Sequence, residues 1–208
     1  MRTKTPDLAE RMLDTAARLF GSKRFHEVRM EDVAAEAHVS KGTLYRYFRD
    51  KDEMYLALLG RASDQLVELL RERVGQADGA RAGLVALVDS VLTFFDDNPH
   101  VFDLIQRAEA LRGPGDAFPW QPVRDEGVRL VGEVFQEARA RGEFMVGEPD
   151  LVALMLLGGM RAVVRFGKKP RPSDLAERIV HNFLWGAARH GGVEALAGVP
   201  PPKSSTPN

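Results

Sequence analysis

The sequence predicts an all-α protein of about nine helices, and three observations carry that expectation. Apolar residues recur with the helical period in almost every segment. No window alternates apolar and polar residues over strand length. The breaks fall where Pro, Gly and Asn-Pro interrupt the pattern.

The elements follow in order. Thr5-Pro6 is a helix start, and Leu8, Met12, Ala16, Leu19 and Phe20 form one apolar stripe with Glu10, Arg11, Asp14 and Arg18 off it. A short second helix is expected over residues 30–37. A third covers 41–48 behind Ser40 as its N-cap. A fourth starts at Asp50, whose spacing to Glu53 resembles a capping box, and runs to about residue 74. Further helices are expected at 81–97, 99–112, 122–141, 149–166 and 173–190. Their boundaries are Asn98-Pro99, Gly113-Pro114-Gly115, Gly142, Pro149 and Pro170-Arg171-Pro172. The domains expected are 1–51, a head; 52–192, a body; and 193–208, a disordered Pro-containing tail.

Composition narrows the function. At 208 residues the chain can hold a small domain joined to a larger one. It has no cysteine, which excludes disulfides and thiolate metal sites. The N-terminus lacks a continuous apolar signal core, and the apolar run 151–160 is shorter than a membrane span. A cytoplasmic protein without a membrane partner is the expectation. The net charge of −1 conceals an asymmetry. Residues 1–51 hold eleven Lys and Arg against eight Asp and Glu, or +3, and the remainder carries −4.

The basic head contains residues 33–51, VAAEAHVSKGTLYRYFRDK. Val33, Ala34 and Ala37 offer a small apolar face for close helix packing, and Leu44 and Phe48 turn the third helix inward. Lys41, Gly42, Thr43, Tyr45, Arg46 and Tyr47 are then expected on the first turns and outer face. Lys donates to guanine edges or phosphate, and Thr presents a hydroxyl and a methyl. Gly42 lets backbone approach DNA, while Tyr hydroxyls, Lys51 and the amides behind Ser40 can donate to phosphates. Core packing is the other reading of Tyr45, Tyr47 and Phe48; it holds for Phe48, whereas the two tyrosines flank the inward positions and accompany Lys41, Arg46, Arg49 and Lys51.

These residues resemble the DNA-binding domain of the tetracycline-repressor (TetR) family. The pattern stands here as Val33-Ala34-x-x-Ala37-His38-Val39-Ser40-x-Gly42-Thr43-Leu44-Tyr45-x-Tyr47-Phe48-x-x-Lys51-x-x-Met54. The resemblance implies base contacts from Lys41 and Thr43, and phosphate contacts from Tyr45, Tyr47 and Lys51. Three positions depart from it. His38 replaces a Gly in the turn, Arg24 stands where Gly is common, and Arg29 replaces a Thr cap while adding a phosphate donor.

One short reading helix makes few contacts, so such modules pair on palindromic double-stranded operators. The expected homodimer face is Leu151, Met155, Gly158, Gly159 and Ala162 with Phe183, Gly186, Ala187 and His190, whose small residues allow close approach. The same residues would also suit an internal core. The resemblance further implies a pocket for a hydrophobic or amphipathic small-molecule effector. Its candidates are Phe94, Phe95, Phe102, Ile105, Phe118, Trp120, Phe135 and Met155, with Gln106, Arg107, Glu109 and Arg161 as polar groups. Core packing accounts equally well for each aromatic.

No phosphate loop, H-E-x-x-H pair or nucleophile elbow appears. His100 and Asp103 read as an exposed helix-start pair rather than a metal site. The expectation is therefore a regulator without cofactor or metal and not an enzyme. The rival from another class is a helical interaction module of the same fold that no longer reads DNA.

Overall fold

Helices form where the apolar period predicts them. The computed structural model describes residues 6–23, 25–111, 113, 115, 118–142 and 148–185, and these comprise nine α-helices and no strand. They are α1 (Pro6–Ser22), α2 (Met30–Glu36), α3 (Lys41–Tyr47), α4 (Lys51–Gly75), α5 (Ala80–Asp97), α6 (Pro99–Leu111), α7 (Gln121–Ala140), α8 (Pro149–Phe166) and α9 (Leu175–Trp185). A 3-10 turn, Phe25–Glu27, joins α1 to α2 and was not signalled by periodicity. The expected tail, 193–208, lies outside the described residues, as do Arg24, Gly186, Ala187 and His190.

The head is built from α1, α2 and α3 around Met12, Ala16, Leu19, Phe20, Val33, Ala34, Leu44 and Phe48, all buried. Four of the five residues of the expected α1 stripe are in that core, and Leu8 packs against its edge. The 25 residues of α4 extend about 37 Å, long enough to belong to head and body together. Asp50 accepts from the Glu53 N–H at 2.8 Å, while Glu53 returns to the Arg49 N–H at 2.6 Å. The capping box therefore closes one residue earlier than the usual reciprocal pair.

In the body, α4 packs on α5 and α7, α7 on α8, and α5 on α9. The α7–α8 approach is close at Gly127, where a Cβ would lie 3.1 Å from Leu157 Cδ2. Arg171 ties the loop after α8 to α5 and to the end of α8. It donates to Asp96 of α5 at 2.7 Å and, at the end of α8, to the Val164 carbonyl at 3.4 Å and to the Val163 carbonyl at 3.1 Å, which also accepts from the Gly167 N–H. No helix among the described residues is long and apolar enough to cross a membrane, and none of these residues cluster as metal ligands.

Candidate nucleic-acid interface

The turn between α2 and α3 determines what the head can present. His38 adopts φ 54°, the left-handed conformation for which Gly is the easy residue. The His38 N–H donates to Ala35 O at 3.2 Å and the Val39 N–H to Ala34 O at 2.9 Å. This is a Schellman closure of α2. The Arg11 guanidinium reaches from α1 to the Ala37 carbonyl at 3.1 Å, bracing the same turn. At the other end of α2, Arg29 is its extended N-cap residue and makes no side-chain cap; Asp32 accepts from its N–H at 3.0 Å.

Ser40 caps α3, accepting from the Thr43 N–H at 3.1 Å and lying 2.8 Å from the Thr43 hydroxyl. Lys41, Gly42, Tyr45 and Arg46 are exposed beyond that cap, and no atom crowds the open side of Gly42. Thr43 is half-buried, with its hydroxyl engaged by Ser40.

Tyr47 corrects the expected outer face. It is only 8% exposed, packs beside Phe48 at 6.5 Å, and lies beneath the Arg46 guanidinium. In a seven-residue helix, position 47 is three residues beyond Leu44, so the inward stripe takes it along with Phe48. Tyr45 remains outward at 39% exposure.

Charge on this face is partly paired within the protein. Lys41 Nζ lies 2.5 Å from Glu31 Oε1 and 5.8 Å from the centroid of the Tyr45 ring. The hydrogen bond raises the Lys41 pKa and lowers that of Glu31. Lys51, at the start of α4, is half-buried; burial and then the charge of Arg107 lower its pKa. Arg107 itself donates to Asp52 at 3.2 Å and lies over the Tyr55 ring. It belongs to the junction between head and body, not to the pocket expected to include it.

That junction runs along α6. Tyr55 of α4 donates to the Asp103 carbonyl at 2.9 Å, and His100 packs against Gly21 of α1. Burial, then the charge of Arg61, depresses the His100 pKa. The opposite face of α6 supplies Phe102, Ile105 and Glu109 to a cavity of about 320 Å³. Phe95, Phe118 and Trp120 line it as expected, with Leu154, Leu157 and Val164 from α8. Gln106 faces an adjoining cleft. Phe94, Phe135 and Met155 are elsewhere. Phe94 is buried against Phe95 and Trp120, Phe135 is buried beside Phe183, and Met155 is 64% exposed on α8. At the cavity wall Arg161 forms a two-pronged pair with Glu109 at 3.0 and 2.9 Å.

The outer face of α8 carries Leu151, Leu154, Met155 and Phe166 exposed, with Gly158, Gly159 and Ala162 among them. Open space lies above both glycines. Phe183 is half-buried against Phe135 of its own chain, so part of the expected dimer face serves the internal core.

Residues 12–58 match the family model described as bacterial regulatory proteins, tetR family. The chain is 33% identical over 94 residues to the HTH-type transcriptional activator FasR of Mycolicibacterium smegmatis, covering 45% of this chain and 43% of that protein. The chain spans about half the length of the curated relatives it matches. Its fold is similar to a TetR/AcrR-family transcriptional regulator from Thermobifida fusca, with TM-score 0.74 and 20% identity over 88% of this chain and all (100%) of that one. It is also similar to the transcriptional regulator FadR from Bacillus subtilis in complex with stearoyl-CoA, with TM-score 0.68 and 18% identity over 86% and 99% of the two chains.

Proposed function

We propose that the chain, whose residues 12–58 match the model for bacterial regulatory proteins of the tetR family, is a cytoplasmic transcriptional repressor. It binds a palindromic operator as a homodimer and leaves it when a small hydrophobic or amphipathic effector occupies the body. The observation that carries DNA reading is the outward group Lys41, Gly42, Tyr45 and Arg46 on a helix braced by the His38 turn and Arg11. Lys41 and the Thr43 methyl would meet base edges, while Arg29, Tyr45, Arg46 and Lys51 would hold phosphates.

Pairing is supported by the exposed apolar face of α8, which is larger than a scatter of single residues and contains glycines that permit close approach. Response to an effector is supported by α6, which touches the cavity on one face and α1 and α4 on the other. A ligand that fits one position of α6 better shifts the population of head arrangements by its difference in affinity. The FadR structure holds stearoyl-CoA, which favours an effector with a long apolar part. FasR is named an activator, so activation from the same contacts is the second reading.

Mobility shift of the duplex upstream of the protein's own gene tests the proposal. Binding should weaken steeply with salt and fall for Lys51→Ala on every sequence. Lys41→Ala should change which sequence is preferred. Absence of a salt-sensitive complex on any duplex would support the interaction-module alternative instead.

A further inference from the structure

The cavity of the body has a neighbour. A cleft of about 320 Å³ lies against it, lined by Pro99, Asp103, Gln106, Arg165 and Lys169, and the two share Phe95, Phe102 and Val164 as a common wall. The first chamber is apolar along α4, α5 and α8, whereas the second is edged with charge. Phe102 marks the division. Its ring packs edge-on to Phe95 at 6.0 Å and has the Arg161 and Arg165 guanidiniums at 5.9 and 5.8 Å from its centre.

The two chambers differ in how their cations are satisfied. Arg161 is matched by Glu109, and Arg124 by Asp125. Arg165 forms no ion pair among the described residues and rests only on the faces of Phe102 and Phe166. Lys169 is 2.8 Å from Asp96, but that carboxylate already serves Arg171, which is buried and holds it at 2.7 Å. One carboxylate thus answers two cations, and the exposed lysine is the one able to turn away. Against Arg165 and this surplus the cleft offers a single carboxylate, Asp103, together with the Gln106 amide as a neutral donor.

We propose that Arg165, Lys169 and Gln106 form the head-group site for an anionic amphipath whose apolar part lies beyond Phe102 in the neighbouring chamber. The inference rests on the proposal that the cavity binds an effector, and adds to it the charge of the ligand and where that charge sits. An unpaired guanidinium beside a low-dielectric wall gains most from an anion, which can accept two of its N–H groups at once. A cationic head would meet Arg165 and Lys169 with like charge. The Asp103 carbonyl that receives the Tyr55 hydroxyl belongs to the same turn of α6, so the bound head group would sit directly behind the contact with α4.

Three probes with one ten-carbon tail separate tail from head: decanoate, 1-decanol and decyltrimethylammonium, titrated into the full Trp185→Phe chain, in which Trp120 is the one tryptophan left, while its fluorescence is followed. Decanoate should bind at least about tenfold more tightly than decyltrimethylammonium. Arg165→Gln should reduce decanoate binding by about fivefold or more and leave 1-decanol unchanged. Arg165 is exposed, and an unchanged melting temperature would confirm that the variant is folded. If all three probes bind alike, or the cation binds best, the head-group site is wrong although the effector cavity stands. If none binds, the cavity reading fails and the head-group site with it.

Discussion

Lys41 enters any encounter with DNA already holding Glu31. A base or phosphate contact from Lys41 must therefore replace that exposed ion pair, whose own worth is small. Glu31→Gln should strengthen binding to duplex DNA a few-fold, and the slope of log affinity against log salt should become steeper by about one. An unaltered slope would mean that Lys41 makes no ionic contact with DNA. Tyr47 requires the opposite assay. Tyr47→Ala should cost about 2–4 kcal/mol of folding stability in a denaturant titration, because it empties a buried aromatic site. Both residues were visible in the sequence, but only one was oriented correctly by it. Leu44 and Phe48 identify the inward direction, yet a stripe about 100° wide also takes the residue at i+3, and a seven-residue helix gives too few turns to separate 47 from 45 by pattern. His38 was legible as a departure, and its φ of 54° shows that the turn retains the glycine-like conformation without glycine.

Between elements, the strongest electrostatic tie is made by Glu126 of α7, which is only 7% exposed. Arg129 of the same helix donates to it at 2.6 Å and Arg71 of α4 at 2.7 Å. These two guanidiniums, Arg129 foremost, hold its pKa down to about 2 from an ordinary 4.5. A carboxyl depressed on folding stabilises the native state fully above its unfolded value, and that contribution is lost as pH falls from about 4.5 toward 2. Urea melts across that window should show a loss of stability that Glu126→Gln largely removes, and the variant should be about 1–2 kcal/mol less stable at neutral pH. An identical acid profile in the variant would contradict this assignment. The pair Arg71–Glu126 spans 55 residues of sequence, and helical period alone carries no sign of it. The same limit hid the division of labour on α6. The sequence places Phe102, Ile105, Glu109 and Arg107 together on the cavity face, whereas Arg107 turns to Asp52 and Tyr55 of α4.

At the scale of the molecule, the basic head, +3 against −4 for the remainder, is the end that the proposed DNA contact requires. The mixture of Gly and large apolar residues along α8 was readable because its outer face repeats at i, i+4 and i+7 from Leu151 through Met155 to Gly158. Core packing could have claimed the same stripe; exposure of Leu151, Leu154 and Met155 decides that the single chain leaves it uncovered. Met155→Glu should convert the protein to a monomer in sedimentation and weaken operator binding by about 100-fold, since two heads would no longer be linked. A dimer that persists in this variant would move the interface elsewhere. The most direct test of DNA reading by a paired head is selection from a pool of random duplexes by the full chain. Enrichment of a palindrome, with Lys41→Ala altering the base preference within each half-site, is the predicted result. A pool that stays random after successive rounds would contradict the account.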